Sequence, residues 1–533
     1  MAASFLHGVE VTEVTTGPVP VTVVKSAVIG LVGTAPQWAV AASNPLQPPG
    51  NQKLVLVSSQ RDASQFGPLV RGYSIPYALA AIQQQGAGQA LVIDVFNPAI
   101  HNTAIAAAPF SMPATGPQVV NLGHMGIVGP GLAGFTGATT VVVKNSGGTT
   151  TYVEGTDYTV DYVNGLVWAK TGGSLTVGEA LEISFSYCDP SKVQDTDLEG
   201  AVAGGVYTGI QAFQLAFGQF GFFPKILIAP AAGAAGASIQ SAGSQDAAVA
   251  SALDAMAQTI RAMALVDATA GTLVAAAISN RGVSGDAFDT SSKRTVLCFP
   301  WQFFHDTGLL PLGLTIVNGA AAPQPANANA DSPLSQWVAG AMAARDLANG
   351  YWWSPSNMQI EGVLGPDVSI YSSIVDPNAD SNNLNAAGIV TVFTGYGTGP
   401  RLWGNRSAAY PTSTAPDQFI SIRRTMDVIE ESAQLAMMQF LDQPITNALI
   451  DLVVASVNAF LRTLIARGAL VNGGCSYNPA ENPASAIAAG QLVFDLDVMP
   501  PPPAERITFN VFIDSSLLSS LTGTVPQSAA QQA

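Results

Sequence analysis

QALVIDVF, residues 89–96, follows KLVLV at 53–57 and a helical stretch from Ser74 to Gln85, and the three read as strand, helix and strand. KILIA (225–229), a helix over Gln245–Leu265, TLVAAAI (272–278) and RTVLCFP (294–300) repeat the theme. Short apolar strands separated by helices predict a mainly parallel, covered sheet. Between the two runs the character changes. Residues 119–187 carry VVVKN, TTYVEGTDYTV, GLVWAK and EALEISFSY, which are Val-, Thr- and Tyr-rich runs punctuated by Gly and Asp and predict an all-β insertion. Gly116-Pro117 and Asp189-Pro190 mark its ends. The expected class is therefore α/β and multidomain: a mainly parallel core over 26–117 and 190–400, interrupted by an all-β insertion over 118–189.

Toward the C-terminus, residues 401–515 predict an α+β domain. Ile422, Met426, Ile429, Ala433, Met437 and Phe440 form one helical stripe; Pro444 starts a second helix, whose Leu449, Leu452, Phe460 and Leu464 face inward until Gly468 stops it. LVFDLDV (492–498) and ITFNVFI (507–513) then alternate as strands. Leu492, Phe494, Leu496 and Val498 oppose Asp495 and Asp497, with Ile507, Phe509, Val511 and Ile513 in register across a connector containing Pro500–Pro503. Residues 1–25 read as an extended arm, 318–333 as a low-complexity loop, and 516–533 as a C-terminal arm and polar tail. A two-stranded hairpin is marginal in water and its edges invite another strand. The Val-rich N-terminal arm and SSLLSSL (515–521) are spare strand material, so strand addition between copies would satisfy both deficits. Pairing of the N-terminal arm within its own domain is the alternative.

Composition narrows the function. The 533 residues are 48% apolar and 11% charged, with net charge -16; a core is assured and a phosphate-binding surface has no electrostatic support. So low a charge density, with 52 glycines, suits surface that becomes interface. Cys188, Cys298 and Cys475 lack metal-ligand spacing, which fits a reduced folding history, and MAASFLHGVEV shows no secretion signal. The apolar stretch Ile445–Ile465 includes Asn447, Asp451, Asn458 and Arg462, which argues against a membrane span. Gly129, Gly131 and Gly134 spell GxGxxG, but VVV at 141–143 follows where a dinucleotide site needs a helix; turn glycines are the expectation. No P-loop, HExxH or GxSxG motif occurs, and His7, His101, His124 and His305 are scattered. His305-Asp306 reads as a local contact, and Tyr351, Trp352 and Trp353 as a buried anchor rather than a stacking platform. No catalytic, cofactor or metal residue is expected.

FLHGVEVTEVTTGP (5–18) followed by SAVIGLVGTAP (26–36) resembles the N-terminus of contractile phage tail sheath proteins. PKILIAP (224–230), GYWWSPSNMQIEGVLG (350–365), NAAGIVTVF (385–393), RLWGNRS (401–407), ISIRRTMDVI (420–429) and PAERITFNVFID (503–514) continue the likeness in order. Ser407 stands where that family usually has Thr, and the β insertion falls outside the match. The resemblance implies a non-enzymatic virion subunit, assembled in the host cytoplasm, without cofactor. It implies a helical homopolymer around a tail tube protein, with baseplate and tail terminator proteins as further partners and neither nucleic acid nor membrane. It places the C-terminal domain against the tube and the insertion outward, with neighbours' arms joining the C-terminal hairpin. The strand-exchange residues would be Val9, Val11, Val14, Leu492, Phe494, Leu496, Val498, Ile507, Phe509, Val511 and Ile513, and the tube-facing ones Arg423 and Arg424. Residues 401–470 hold six arginines and six carboxylates, which fits that placement; pairing of the two arginines with Asp427 and Glu430-Glu431 on a solvated helix is the alternative. An α/β hydrolase-like enzyme and another polymerising virion protein, tube or capsid, are the competing functions.

Overall fold

The computed structural model describes residues 21, 23–40, 43–86, 88–115, 118–130, 132, 141–230, 247–310, 317–318, 324–325, 328–395, 397 and 399–518. Strands β1 (Val28–Gly33), β2 (Leu54–Val57), β3 (Gln89–Asp94), β4 (Ile226–Ile228), β5 (Met263–Asp267), β6 (Thr295–Cys298), β7 (Ile389–Thr394) and β8 (Pro400–Trp403) form one sheet. Their order is β2-β3-β1-β4-β5-β6-β7-β8. The six central strands are parallel, whereas β2 and β8 at the edges run antiparallel to their neighbours. β1, β4, β5 and β6 are buried along their whole length, as a sheet covered on both faces requires.

Helices α1 (Ser74–Gln84), α2 (Ala247–Ile260) and α3 (Ser335–Asn349) supply the cover. Ile75, Leu79 and Ile82 of α1 and Trp337, Val338 and Met342 of α3 share a core with Ile29, Ile228 and Leu265. Leu253, Met256 and Ala257 of α2 pack with Leu91, Leu227 and Ala264 on the other face. The helix expected to run to Leu265 ends at Ile260 because Arg261 turns left-handed at φ +52°, and Met263 begins the buried β5. TLVAAAI is no strand either: Val274–Ser279 is helical, its alanines favouring helix over the strand-like apolar run.

Residues 102–188 pair antiparallel in small sheets. One has the order Asn102–Ser111, Ala180–Cys188, Val142–Asn145; the other joins Val119–Asn121, Leu166–Ala169 and Tyr158–Asp161. This antiparallel pairing begins at Asn102, ahead of the Gly116-Pro117 boundary. Three pieces of the expected 318–333 loop are in strands, and of these Gln324–Pro325 pairs with Leu309–Leu310. Val317–Asn318 extends the second sheet, and Ala328–Ser332 pairs with Gln302–Asp306, burying Ala330 and Ser332. Asp306 is held by Arg71, Tyr77 and the Gly308 amide, while His305 is exposed on the other face of the strand. Gly129 is glycine because a Cβ there would lie 2.0 Å from the Tyr162 ring; Gly131 and Gly134 lie outside the described residues.

Helices α4 (Ile420–Met437) and α5 (Asn447–Ala466) follow, then the two-stranded antiparallel sheet of β9 (Asn472–Ser476) and β10 (Asp495–Met499). The sequence expectation fails on one point: β10 pairs with β9, not with 507–513. The Gly-rich NGGCS has no alternating pattern to announce a strand, and Gly473 lies where a Cβ would come within 2.9 Å of Val498. Residues 503–533 form a separate unit. In it 503–514 has no regular structure and Ser515–Leu518 makes a single 3₁₀ turn.

Candidate assembly interface

α4 is fixed to the sheet by charge. Lys225, Arg261 and Arg294 stand just ahead of the adjacent parallel strands β4, β5 and β6, so the N-terminal ends of these central strands present three cations. Asp427, Glu430 and Glu431, at i, i+3 and i+4 on α4, meet them. Arg294 grips Asp427 with both terminal nitrogens, at 2.5 and 2.7 Å; Arg261 reaches Glu430 at 3.0 Å; Lys225 pairs with Glu431 and donates to the Ile260 carbonyl. Burial pushes the Lys225 ammonium below its ordinary value despite Glu431 beside it. Burial pulls Glu430 upward, but Arg423 and Arg261 outweigh it and hold the carboxyl below its usual range.

Arg423 and Arg424 belong to this same buried set, which corrects the tube-facing expectation. Arg423 is 7% exposed and pairs with Asp427 and Glu430. Arg424 is 4% exposed, clamps Asp346 of α3 at 2.7 and 2.5 Å, and donates to the Ser26 carbonyl. The expected partners of Arg423 are right, but the helix face is buried rather than solvated. A desolvated guanidinium retains its place only against a carboxylate, and both arginines have one inside the chain.

α5 packs its apolar stripe on β9 and β10. Val457, Phe460, Leu461 and Leu464 join Ile429 of α4 and Leu470 in one cluster, onto which Phe494, Leu496 and Val498 fold. Leu492 is half-buried just ahead of them. Thr446 caps α5 by accepting from the Leu449 amide at 3.2 Å, and Gly468 ends it at φ +77°. By length and hydropathy α5 would suffice to cross a membrane, yet its apolar face is spent on this cluster and Asp451 and Arg462 are exposed.

The two-stranded sheet is unequally finished at its edges. Cys475 on β9 donates its amide to Asn458 Oδ1 and accepts at its carbonyl from Asn458 Nδ2, both at 2.8 Å. Asn482 brackets Val493, ahead of β10, in the same manner, at 2.7 and 2.9 Å. Sequence reasoning noted Asn458 only as an argument against a membrane span; a side-chain amide on an otherwise apolar helix was the available signal.

The root of the N-terminal arm lies on this module. Val21 and Val23 pack against its cluster, and the Val24 amide donates to Ser432 Oγ at 3.2 Å. Val9, Val11 and Val14 lie outside the described residues. In the C-terminal unit Ile507, Phe509, Val511 and Ile513 are 71%, 84%, 86% and 100% exposed: an alternating apolar segment in no strand. Tyr351 is buried and Trp352 packs on the same cluster, whereas Trp353 is 49% exposed with the Arg345 guanidinium over its ring. Among the described residues no group of three or more His, Cys, Asp or Glu is placed to hold a metal.

Comparison with known proteins accounts for this architecture. Residues 205–408 match the phage tail sheath protein central domain, and residues 412–514 the phage tail sheath C-terminal domain. The tail sheath protein of Burkholderia phage BcepMu is 41% identical over 98% of this chain and 100% of its own length. A putative prophage major tail sheath protein of Pseudomonas aeruginosa is 30% identical over 60% of this chain and 73% of its own. Among solved structures, the helical sheath of the anti-feeding prophage in its contracted state aligns with a TM-score of 0.54 at 15% identity, covering 96% of this chain and all of that one. The sheath of an extracellular contractile injection system, also contracted, aligns at 0.51 and 13%, covering 97% of this chain and all of that one. The chain belongs to the phage tail sheath protein family, as a structural subunit of the virion and not an enzyme.

Proposed function

We propose that this subunit polymerises helically around a tail tube through strands exchanged between copies. In this reading it contracts from an extended, metastable array to a shorter, wider one that drives the tube through the host envelope. The observation that carries the reading is the mismatch between a two-stranded sheet with an open edge and an alternating apolar segment, Ile507–Ile513, standing exposed in the same chain. Each supplies what the other lacks: a strand needs main-chain partners, and an edge needs a strand. Val9, Val11 and Val14 of the N-terminal arm would serve as a second exchanged strand. Baseplate and terminator proteins would close the ends of the polymer.

No nucleotide motif accompanies the assembly, so the work of contraction would come from the difference in free energy between two arrays of the same subunits. The C-terminal module would face the tube with surface other than Arg423 and Arg424, which are consumed within the chain. The test is electron microscopy of the purified chain and of two truncations lacking residues 1–18 or 503–533. Hollow tubes of uniform diameter are expected from the intact chain, and folded subunits without tubes from either truncation. Normal tubes from both truncations would refute strand exchange.

A further inference from the structure

We infer that two uncharged apolar projections of the core, the hairpin 201–208 and the loop 368–375, meet between copies of this chain, the hairpin of one on the loop of the next. This inference rests on the helical-polymer reading above and adds a contact that involves neither terminal arm. Val202–Ala203 and Val206–Tyr207 pair antiparallel around Gly204 and Gly205, both left-handed at φ +57° and +81°, as the tightest hairpin turn requires. So short a hairpin does not stand alone in water, and this one is fixed at its root. The Thr208 amide donates to the Ala201 carbonyl at 3.0 Å, the Gly209 amide donates to Gln52 Oε1 at 2.7 Å, and a Cβ on Gly200 would fall 1.8 Å from the Thr208 carbonyl oxygen. Tyr207 packs on the main core. Ala203 and Val206, a cross-strand pair, share the opposite face and are exposed, Val206 at 63%.

The loop is built in the same manner. Val368 and Ile370 pack on the cluster of Phe288, Leu297 and Ile389, while Tyr371, Ile374 and Val375 are 56%, 55% and 85% exposed. Polar groups hold this display in place. The Tyr371 amide donates to the Asp380 carboxylate at 2.9 Å and its carbonyl accepts from the Ser381 amide at 3.2 Å. Ser373 Oγ accepts from the amides of Val375 and Asp376, at 3.2 and 3.0 Å, and Asn382 donates to the Asp376 carbonyl at 2.6 Å. Large apolar side chains held ordered in water, with no return inside the chain, mark a surface made for contact.

Placement and charge select a second copy as the occupant. Leu54 and Leu56 of the edge strand β2 pack on the same core as Tyr207, whereas the loop lies with Leu297 of β6 and Ile389 of β7. Ala264 and Val266, alternate residues of β5, join the first cluster and the second, so both clusters cover one face of the sheet. The two surfaces thus stand toward opposite ends of that face, about 25–30 Å apart at the usual strand spacing, and out of reach of each other within one chain. A helical array repeats one operation, so each copy meets the next through two different patches, one on each flank. Copies at net charge -16 repel, and they approach at least cost where neither surface is charged. Residues 200–224 and 368–375 contain no Asp, Glu, Lys or Arg.

Val206→Cys and Val375→Cys test this in assembled tubes treated with a short thiol-to-thiol cross-linker. The parent chain, whose three cysteines are buried, is the control. A ladder of linked subunits on a denaturing gel is expected from the double variant, and no link from either single variant. Linked pairs from a single variant would mean that like surfaces meet, and would overturn the pairing. Intact tubes of the double variant without links would overturn the contact and leave helical polymerisation standing, whereas a parent chain that forms no tubes would overturn the reading on which the inference rests. Charge gives a second readout. Val206→Glu should raise the protein concentration at which tubes appear by about tenfold or more, without moving the urea midpoint of the subunit, and adding Val375→Lys should restore assembly. Unchanged assembly by Val206→Glu would refute the contact.

Discussion

Arg424 separates two accounts of helix α4, and one substitution decides between them. Its guanidinium and the Asp346 carboxylate are 4% and 1% exposed, joined by bonds of 2.7 and 2.5 Å. Arg424→Met would leave Asp346 charged in a dry site, and Asp346→Leu would do the same to Arg424; breaking such a pair from one side costs about 3–5 kcal/mol. Replacing both costs far less, because a buried ion pair exchanged for apolar groups of similar volume is often neutral. What remains is the Ser26 carbonyl, which loses its donor at about 1 kcal/mol. The assay is urea unfolding followed by tryptophan fluorescence, with Trp352 and Trp353 close to Asp346 in sequence. At about 1–3 kcal/mol per molar urea, each single variant should lower the midpoint by about 1 M or more, and Arg424→Met/Asp346→Leu should recover most of it. If Arg424→Met left the midpoint unmoved and abolished only sheath assembly, Arg424 would be facing an external partner and the buried pairing would be refuted.

Other consequences are as direct. Burial raises the Asp267 carboxyl to about 7, above its unfolded value near 3.9. Stability should therefore fall as pH rises from about 4 to about 7, by up to about 1.4 kcal/mol per pH unit, and Asp267→Asn should flatten that slope in pH-resolved unfolding. Glu430 behaves oppositely: held low by Arg423 and Arg261, it stabilises above its unfolded value near 4.3 and loses that contribution as pH falls through its folded value. Glu430→Gln should thus blunt the acid limb of the same profile. Gly165→Ala meets the His124 carbonyl oxygen at 1.8 Å with φ at +67°; a thermal scan should show a loss of at least about 1–3 kcal/mol. Asn458→Ala strands both main-chain groups of Cys475 and should cost about 1–3 kcal/mol in urea unfolding of the subunit.

The parts legible in the sequence are those where one periodicity governs a whole element. QALVIDVF and KILIA gave β3 and β4 because a strand buried on both faces is apolar throughout, and the alternation of Phe494, Leu496 and Val498 survives as the face packed on α5. The failures have physical causes. NGGCS carries no pattern, since β9 owes its conformation to β10 on one side and Asn458 on the other. KLVLV could not disclose that β2 runs antiparallel, because strand direction depends on a connection and not on composition. Arg423 and Arg424 look like a solvated pair in one dimension; Asp346 is 78 residues away from Arg424, so their burial was invisible. ITFNVFI matches the strand pattern yet is in no strand of the single chain, because alternation states that a segment can be a strand and not what it pairs with.

That distinction bears on how a sheath can be both tight and able to rearrange. Burying Ile507, Phe509, Val511 and Ile513 contributes about 6–12 kcal/mol, at about 1.5–3 kcal/mol for each side chain. Ordering the seven residues Ile507–Ile513 costs about 7–14 kcal/mol, at about 1–2 kcal/mol for each backbone. One arm on one edge is thus close to balance, with its main-chain bonds deciding the sign. A free subunit would therefore gain little from capturing a single arm. Within a helical array each copy would give two arms and receive two, so the later links would form at the high effective concentration set by the earlier ones. The same arithmetic would let every link be individually labile while the mesh persists, and it would leave the energy of contraction to the surfaces between subunits. α4, locked to the sheet by Asp427, Glu430 and Glu431, would then carry the strand-binding module along with the core as one piece, transmitting the motion of each subunit to the arms it holds.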